Sequence, residues 1–501
     1  MQFNSIQFLV FFPAVLAVYF FIPRKARYLW LLAASYVFYM GWNARYALLL
    51  AASTLATYFG ALVIARIRRH ETDGSNKKMK LALAVTLIIN FSILAVFKYA
   101  GFIIDTINDI LAWVSYPAKV GAINLLLPVG ISFYIFQAVG YTIDVYRGKV
   151  EAESNLLRYA LFVSFFPQLV AGPIERSSNL LPQLRNLESI DLWDSRRIQR
   201  GCLSMLGGYL MKMLIADRAA VIVEYIFGGY QQFSGAAFIL AIIIFGAQIY
   251  CDFAGYSLIA IGAAQVMGIQ LMENFHAPFF APSIRDYWNR WHISLSTWFV
   301  DYLYIPLGGN RGGKRKKYRH LLIVFAVSGL WHGAAWNYVI WGVTQGIFRV
   351  TGEITTPFRK RLRTRLHIDE NSRWLHFLQV AGTAALVTLG YIAFRSSESM
   401  DQMIYIAHEV FTAPLCTAGL IAENGLWLGM RTAEVLLLCL LIILLAVCDY
   451  VKDKGWSFAA WFERRPWLFR AGFFLFGILA ILLFGVYGPG YDASTFIYFQ
   501  F

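Results

Sequence analysis

Apolar runs close to membrane-spanning length, separated by short loops rich in Lys and Arg, recur from one end of the 501-residue sequence to the other. A bilayer core about 30 Å thick needs roughly 20 apolar residues in helical form. Inside it, helices and closed barrels alone satisfy every backbone N–H and C=O. The chain is therefore expected to be an all-α polytopic membrane protein, embedded as one domain over residues 1–501. Composition excludes an ordinary soluble enzyme, since only 15% of residues are charged, against about 25% in soluble domains. The net charge of +15 would suit nucleic acid. The basic residues, however, lie in short loops between apolar runs, so they report topology and attraction to an anionic inner leaflet, with no nucleic-acid partner.

The basic loops fix an expected course. Residues 6–22 cross first and lead to Arg24, Lys25 and Arg27; residues 28–42 and 46–65 go out and return to Arg66, Arg68 and Arg69. The first apolar run precedes its basic residues, the reverse of a secretory signal peptide, and is read as a retained span. Residues 81–97 then go out, 99–116 lie along the outer surface, and 123–145 return. Residues 159–174 hold Pro167, Gly172 and Pro173, too many breakers for a straight span, and read as re-entrant. Residues 177–200 read as an amphipathic helix on the inner surface, and 202–227 and 236–272 as long membrane elements. The run 321–350 lies between two basic loops, 311–319 and 359–373; if both are inside, it must turn back within the membrane. Candidates at 375–394, 403–421, 434–447 and 467–487 bring the total to roughly a dozen elements, not all spanning.

Irregular backbone at membrane depth is tolerated where it is buried in protein or lines a cavity, so broken, polar segments point to a site. Three stand out: FPQLVAGPIER at 166–176, RDYWNRWHISLSTW at 285–298 and SGLWHGAAWN at 328–337. His332 is the sharpest candidate, flanked by Trp331 and Trp336, with Gly329 and Gly333 permitting close approach. It could equally serve as a hydrogen-bonding link between helices. His292 also fits a solvated histidine on an interfacial helix. Gln248, Asp252 and Tyr256 share one helical face, either lining a site or holding helices together. Histidines 70, 276, 320, 367, 376 and 408 are read as solvated. The five cysteines show neither zinc-ligand nor disulfide spacing, so no metal is expected. The six cations in 311–319, among them Arg311, Lys314 and Arg315, suit an inside loop and would also attract a phosphorylated donor.

Four blocks, FPQLVAGPIER, 248–257, DYWNRWHISLSTWFVDYLYIPLGG at 286–309 and GLWHGAAWNYVIWG at 329–342, with FIYFQF at 496–501, resemble the membrane-bound O-acyltransferase (MBOAT) family. The likeness is strongest over 127–342, taken as the core, with peripheral helices over 1–120 and 375–501. It is nearest the bacterial branch that O-acetylates alginate. The resemblance implies a helical bundle with re-entrant segments around a central tunnel, and acyl transfer from a thioester to a hydroxyl with His332 and His292 as catalytic residues. Asp252, Tyr256, Asn289, Ser294, Trp298, Trp331, Trp336 and Asn337 are then candidate substrate-binding or tunnel-lining residues. Trp331, Trp336 and Asn337 would hold the acyl group and its oxyanion.

Imidazole suits the proton transfer without a metal. The resemblance further implies acetyl-CoA as donor substrate with no permanently bound cofactor, and placement in the bacterial cytoplasmic (inner) membrane. It also implies a polysaccharide acceptor outside and a separate extracytoplasmic SGNH-hydrolase-like partner. Two alternatives stand beside it: an acyl-carrier protein as donor, as in D-alanylation, and a polysaccharide or lipid-linked transporter without chemistry.

Overall fold

The computed structural model describes residues 1–70, 75–116, 119–121, 125–396, 399–417 and 427–487; the block at 496–501 lies outside the described residues. Regular structure among them is helical throughout, apart from one isolated bridge between Trp427 and Met430. Among the described residues six helices are long and apolar enough to cross a membrane: Ala44–Arg69, Ser75–Trp113, Gly235–Val266, Arg373–Arg395, Thr432–Asp453 and Trp467–Phe484. The protein is thus an all-α multi-pass membrane protein.

The chain divides into two compact units, one of Met1–Met205 with Tyr256–Met272, the other of Leu206–Gly255 with Glu273–Phe501. In the first unit, helices Arg27–Met40, Ala47–Arg69, Ser75–Leu94, Ile131–Arg147 and Leu156–Ser164 pack together. Buried polar pairs fix their rotation: Ser53 Oγ donates to Asn90 Oδ1 at 2.6 Å, and Tyr159 OH to Thr57 Oγ1 at 2.8 Å. Each such pair resolves a polar group that would otherwise be costly at that depth. The expected surface segment at 99–116 does not separate from the preceding span. Instead, a π-turn at Ala95–Tyr99 joins Ser75–Leu94 to Ala100–Trp113 as one 39-residue helical course, about 58 Å long at 1.5 Å per residue. A π-turn absorbs the change of phase without breaking the backbone ladder. The 159–174 region is broken as expected: helix Leu156–Ser164 ends at Phe165, a single turn follows at Phe166–Leu169, and the stretch to Ile174 is buried.

In the second unit the run between the basic loops does turn back. Helices Lys314–His332 and Trp336–Ile354 form an antiparallel hairpin whose tip is Gly333–Ala335. Glycines bring the helices together. A Cβ on Gly329 would lie 2.2 Å from the Tyr338 carbonyl oxygen, and one on Gly342 2.3 Å from that of Phe325. Gly333 ends the first helix in extended conformation, where a Cβ would run into the Tyr338 ring at 2.1 Å.

Candidate active site

His332 is the last residue of the first hairpin helix and is 4% exposed. Its ring packs edge-on against Trp341 and against Trp331, each at 5.0 Å, and against Phe394 at 5.5 Å. His292 precedes the short helix Ile293–Phe299 in a left-handed conformation, φ 43° and ψ 56°, unusual for a residue with a Cβ. Strain of this kind persists where surrounding contacts enforce it. Here they do: the Phe253 ring stands edge-on to His292 at 4.6 Å, and Ile293 N–H donates to the Asn274 carbonyl at 3.0 Å. Trp331 is shared, with ring centres 5.9 Å from His292 and 5.0 Å from His332.

Asn274 also settles the tautomer of His292. Its Oδ1 accepts from Ser294 Oγ at 3.0 Å and from the Ser294 backbone N–H at 3.4 Å, and lies 3.0 Å from His292 Nδ1. A backbone N–H is always a donor, so the Asn274 atom is the oxygen and His292 Nδ1 carries the proton. The lone pair is then on Nε2. Burial, and secondarily the nearby His332, hold the pKa of His292 well below the ordinary imidazole value. At neutral pH it is an uncharged base.

A cavity of about 600 Å³ is lined by both histidines. Along the first hairpin helix its wall is Lys317, Leu321, Val324, Phe325, Ser328 and His332, one helical face. Fifteen residues at 1.5 Å rise make the path from Lys317 to His332 about 22 Å. At its far end Lys317 and Arg349 line the wall, and Glu353 bonds both: the Lys317 ammonium directly, and Arg349 Nη1 at 3.1 Å. Burial raises the pKa of Glu353, but the two cations outweigh it and hold the carboxyl below its usual range. Arg285 and Asp301 also line the cavity.

Of the residues singled out in the sequence, His292, His332 and Asn289 line this cavity, and Ser294 and Trp331 support its histidines. The others are engaged elsewhere. Asp252 pairs with Lys212, which also pairs with Asp217, both at 2.7 Å and all three buried. Tyr256 belongs to the first unit, stacked on Phe3 at 4.4 Å. Trp298 packs on Tyr302 at 5.0 Å. Trp336 is 49% exposed, and the Asn337 amide donates to the carbonyls of Ser396 and Ser399. Arg311, Lys314 and Arg315 are exposed and do not line the cavity, which takes its cations from Arg285, Lys317 and Arg349 instead. His320 is buried rather than solvated, with Nδ1 3.1 Å from the Gly309 carbonyl. Asn274 and Arg349 had no motif to mark them. Lys317 was marked only as one of the six cations in 311–319, and its helical spacing with 321, 324, 328 and 332 is what sets it apart from the rest of that run.

The membrane-bound O-acyltransferase family profile matches residues 150–375. A probable alginate O-acetylase AlgI of Pseudomonas putida is 38% identical over 400 residues, covering 79% of this chain and 77% of its own. A peptidoglycan O-acetyltransferase of Helicobacter pylori is 34% identical over 465 residues, covering 86% and 82%. A teichoic acid D-alanyltransferase of Bacillus subtilis is 27% identical over 291 residues, covering 54% and 69%. With two histidines converging on one cavity of a multi-pass helical body, and with relatives of this closeness along most of its length, the chain belongs to the membrane-bound O-acyltransferase family and is an O-acyltransferase.

Proposed function

We propose that this protein moves an acetyl group from acetyl-CoA on the cytoplasmic side of the bacterial inner membrane toward an extracytoplasmic polysaccharide. His332 serves as the acid/base residue or transient acyl carrier. The observation that carries this reading is that one cavity has Lys317 and Arg349 at one end and both histidines at the other. Cations at one end suit the phosphates of a nucleotide thioester, and exclusion of water at the histidine end would protect the thioester from hydrolysis. The acetylase names of the alginate and peptidoglycan relatives support the acetyl group and the polymer acceptor. The reaction needs the acceptor oxygen to attack the thioester carbonyl while imidazole takes its proton; the C–S bond then breaks and the thiolate recovers that proton. His292, neutral and with its Nε2 lone pair set by Asn274, assists as a second base. An SGNH-hydrolase-like partner outside the membrane completes transfer to the polymer.

The D-alanyltransferase relative supports a second reading, in which a carrier protein delivers the acyl group. Purified protein in nanodiscs, supplied with radiolabelled acetyl-CoA and the outer partner, separates the possibilities. CoA release by wild type that is lost in His332→Ala, with binding retained, is the expected result. No consumption of acetyl-CoA, with turnover of a loaded carrier protein, favours the second reading. Turnover of neither refutes both donor assignments.

A further inference from the structure

A second, much smaller void adjoins the main cavity. Both are lined by His332, Trp288 and Trp291, and the small one, about 10 Å³, is completed by Trp341, Gln345, Tyr391 and others. That is close to the least space that holds one oxygen-sized guest. Its walls carry polar atoms with nothing to bond. The indole Nε1 of Trp288, the indole Nε1 of Trp341, and both amide atoms of Gln345 are buried without a hydrogen-bond partner among the described residues. Trp341 is 4% exposed and Gln345 1%.

An unmet buried donor costs about 1–3 kcal/mol, and native proteins carry few of them without a reason. Three donor side chains on one void of this size are a concentration that packing alone does not require. Indole N–H can only donate, and Gln345 adds an amide N–H beside its own unbonded carbonyl oxygen, so unmet donors outnumber unmet acceptors around the void. The groups come from separate elements: Trp288 from helix Ile284–Arg290, Trp341 and Gln345 one turn apart on the second hairpin helix. The rings of Trp288 and Trp341 are 5.9 Å apart at 70°, and Trp341 stands edge-on to His332 at 5.0 Å. Helix Arg373–Arg395 makes room for the amide through Gly390, where a Cβ would fall 2.2 Å from Gln345 Nε2.

We propose that Trp288, Trp341 and Gln345 form the pocket for the acyl carbonyl oxygen, donating to the oxyanion that develops as the acceptor attacks beside His332. This rests on the reading that acyl transfer takes place at His332. As the new C–O bond forms, the carbonyl π pair moves onto that oxygen and the acceptor proton passes to imidazole. Collapse restores C=O and expels the thiolate, which takes the proton back. Donors fixed in a dry site stabilise the charged oxygen more than the neutral carbonyl. Asn337, whose amide is spent on Ser396 and Ser399, is not placed to do so.

The test uses the full-length protein in nanodiscs with its outer partner, and reads kcat, KM and the thermal unfolding transition for Trp288→Phe, Trp341→Phe and Gln345→Leu. Loss of one oxyanion donor lowers kcat by roughly 100–1,000-fold. The expected result is a kcat loss of that order in at least two variants, with KM changed by only a few-fold and, for the near-isosteric Gln345→Leu, an unfolding transition no lower than wild type. A structural role predicts the opposite for Gln345→Leu: lower stability with kcat retained. Should a tryptophan variant fail to fold, benzothienylalanine at the same position keeps the ring volume and removes only the N–H. The proposal is overturned if kcat survives in all three while His332→Ala is inactive. If His332→Ala is itself active, transfer does not occur at that histidine, and both the reading and the pocket fall.

Discussion

Replacing Gly329 with alanine adds one methyl group where the two hairpin helices cross. That Cβ would lie 2.2 Å from the Tyr338 carbonyl oxygen and 3.2 Å from Gly342 Cα. A carbon and a carbonyl oxygen come no closer than about 3.3 Å in comfortable contact, so the helices must separate by about 1 Å. The neighbouring atoms are backbone and cannot rotate away. Overpacking of this kind costs about 1–3 kcal/mol, which the hairpin can survive. The site cannot be so indifferent, because His332 lies one turn beyond Gly329 on the same helix. A displacement of about 1 Å costs on the order of 100-fold in rate. Gly382→Ala is the control: it sits mid-helix with nothing within 4 Å of its added Cβ and should stabilise by up to about 1 kcal/mol. Acyl transfer and thermal unfolding, measured on both variants in nanodiscs, decide the matter. Wild-type turnover by a folded Gly329→Ala would refute the claim that this crossing sets the position of His332.

Three further outcomes follow from the same geometry. Asn274→Ala removes the acceptor for His292 Nδ1 and two Ser294 donors and should lower stability by roughly 2–4 kcal/mol and turnover with it; an unshifted unfolding transition would count against the tautomer assignment. Lys212→Met leaves the carboxylates of Asp217 and Asp252 buried together without their cation and should cost about 3–5 kcal/mol, read as a lower unfolding temperature; full stability would show the pair to be dispensable. The lowered pKa of His292 means the folded state binds its proton less readily than the unfolded chain does. Its contribution is therefore complete above the ordinary value of about 6.5 and is lost as pH falls below it. Unfolding temperatures should drop from pH 7 toward pH 5, and less steeply in His292→Gln; identical slopes would contradict it.

The turn at His332 was legible because two facts of different kinds agree on it. Basic loops on both flanks of 321–350 demand an even number of crossings, and Gly329 and Gly333 mark where backbones come close. The break around Pro167 and Gly172 was legible for a similar reason, since each breaker acts on its own neighbours. Partnerships were not legible. Asp252 reads as a site residue by its cost at depth, yet the helix rotates it onto Lys212, whose pairing could not be told from hydropathy. The charge run 311–319 stands out as a whole, with Arg311, Lys314 and Arg315 named from it, but the cavity uses Lys317 of the same run, where the helix has turned its face inward.

Hydropathy, loop charge and helix breakers are properties of short stretches, and they determined an all-helical membrane body, its turning points and the two histidine motifs. Which side chains meet depends on the rotational phase of each helix, which packing between distant segments sets. Only the tertiary structure could therefore bring Asn274 to His292, or gather Trp288, Trp341 and Gln345 around one void beside His332.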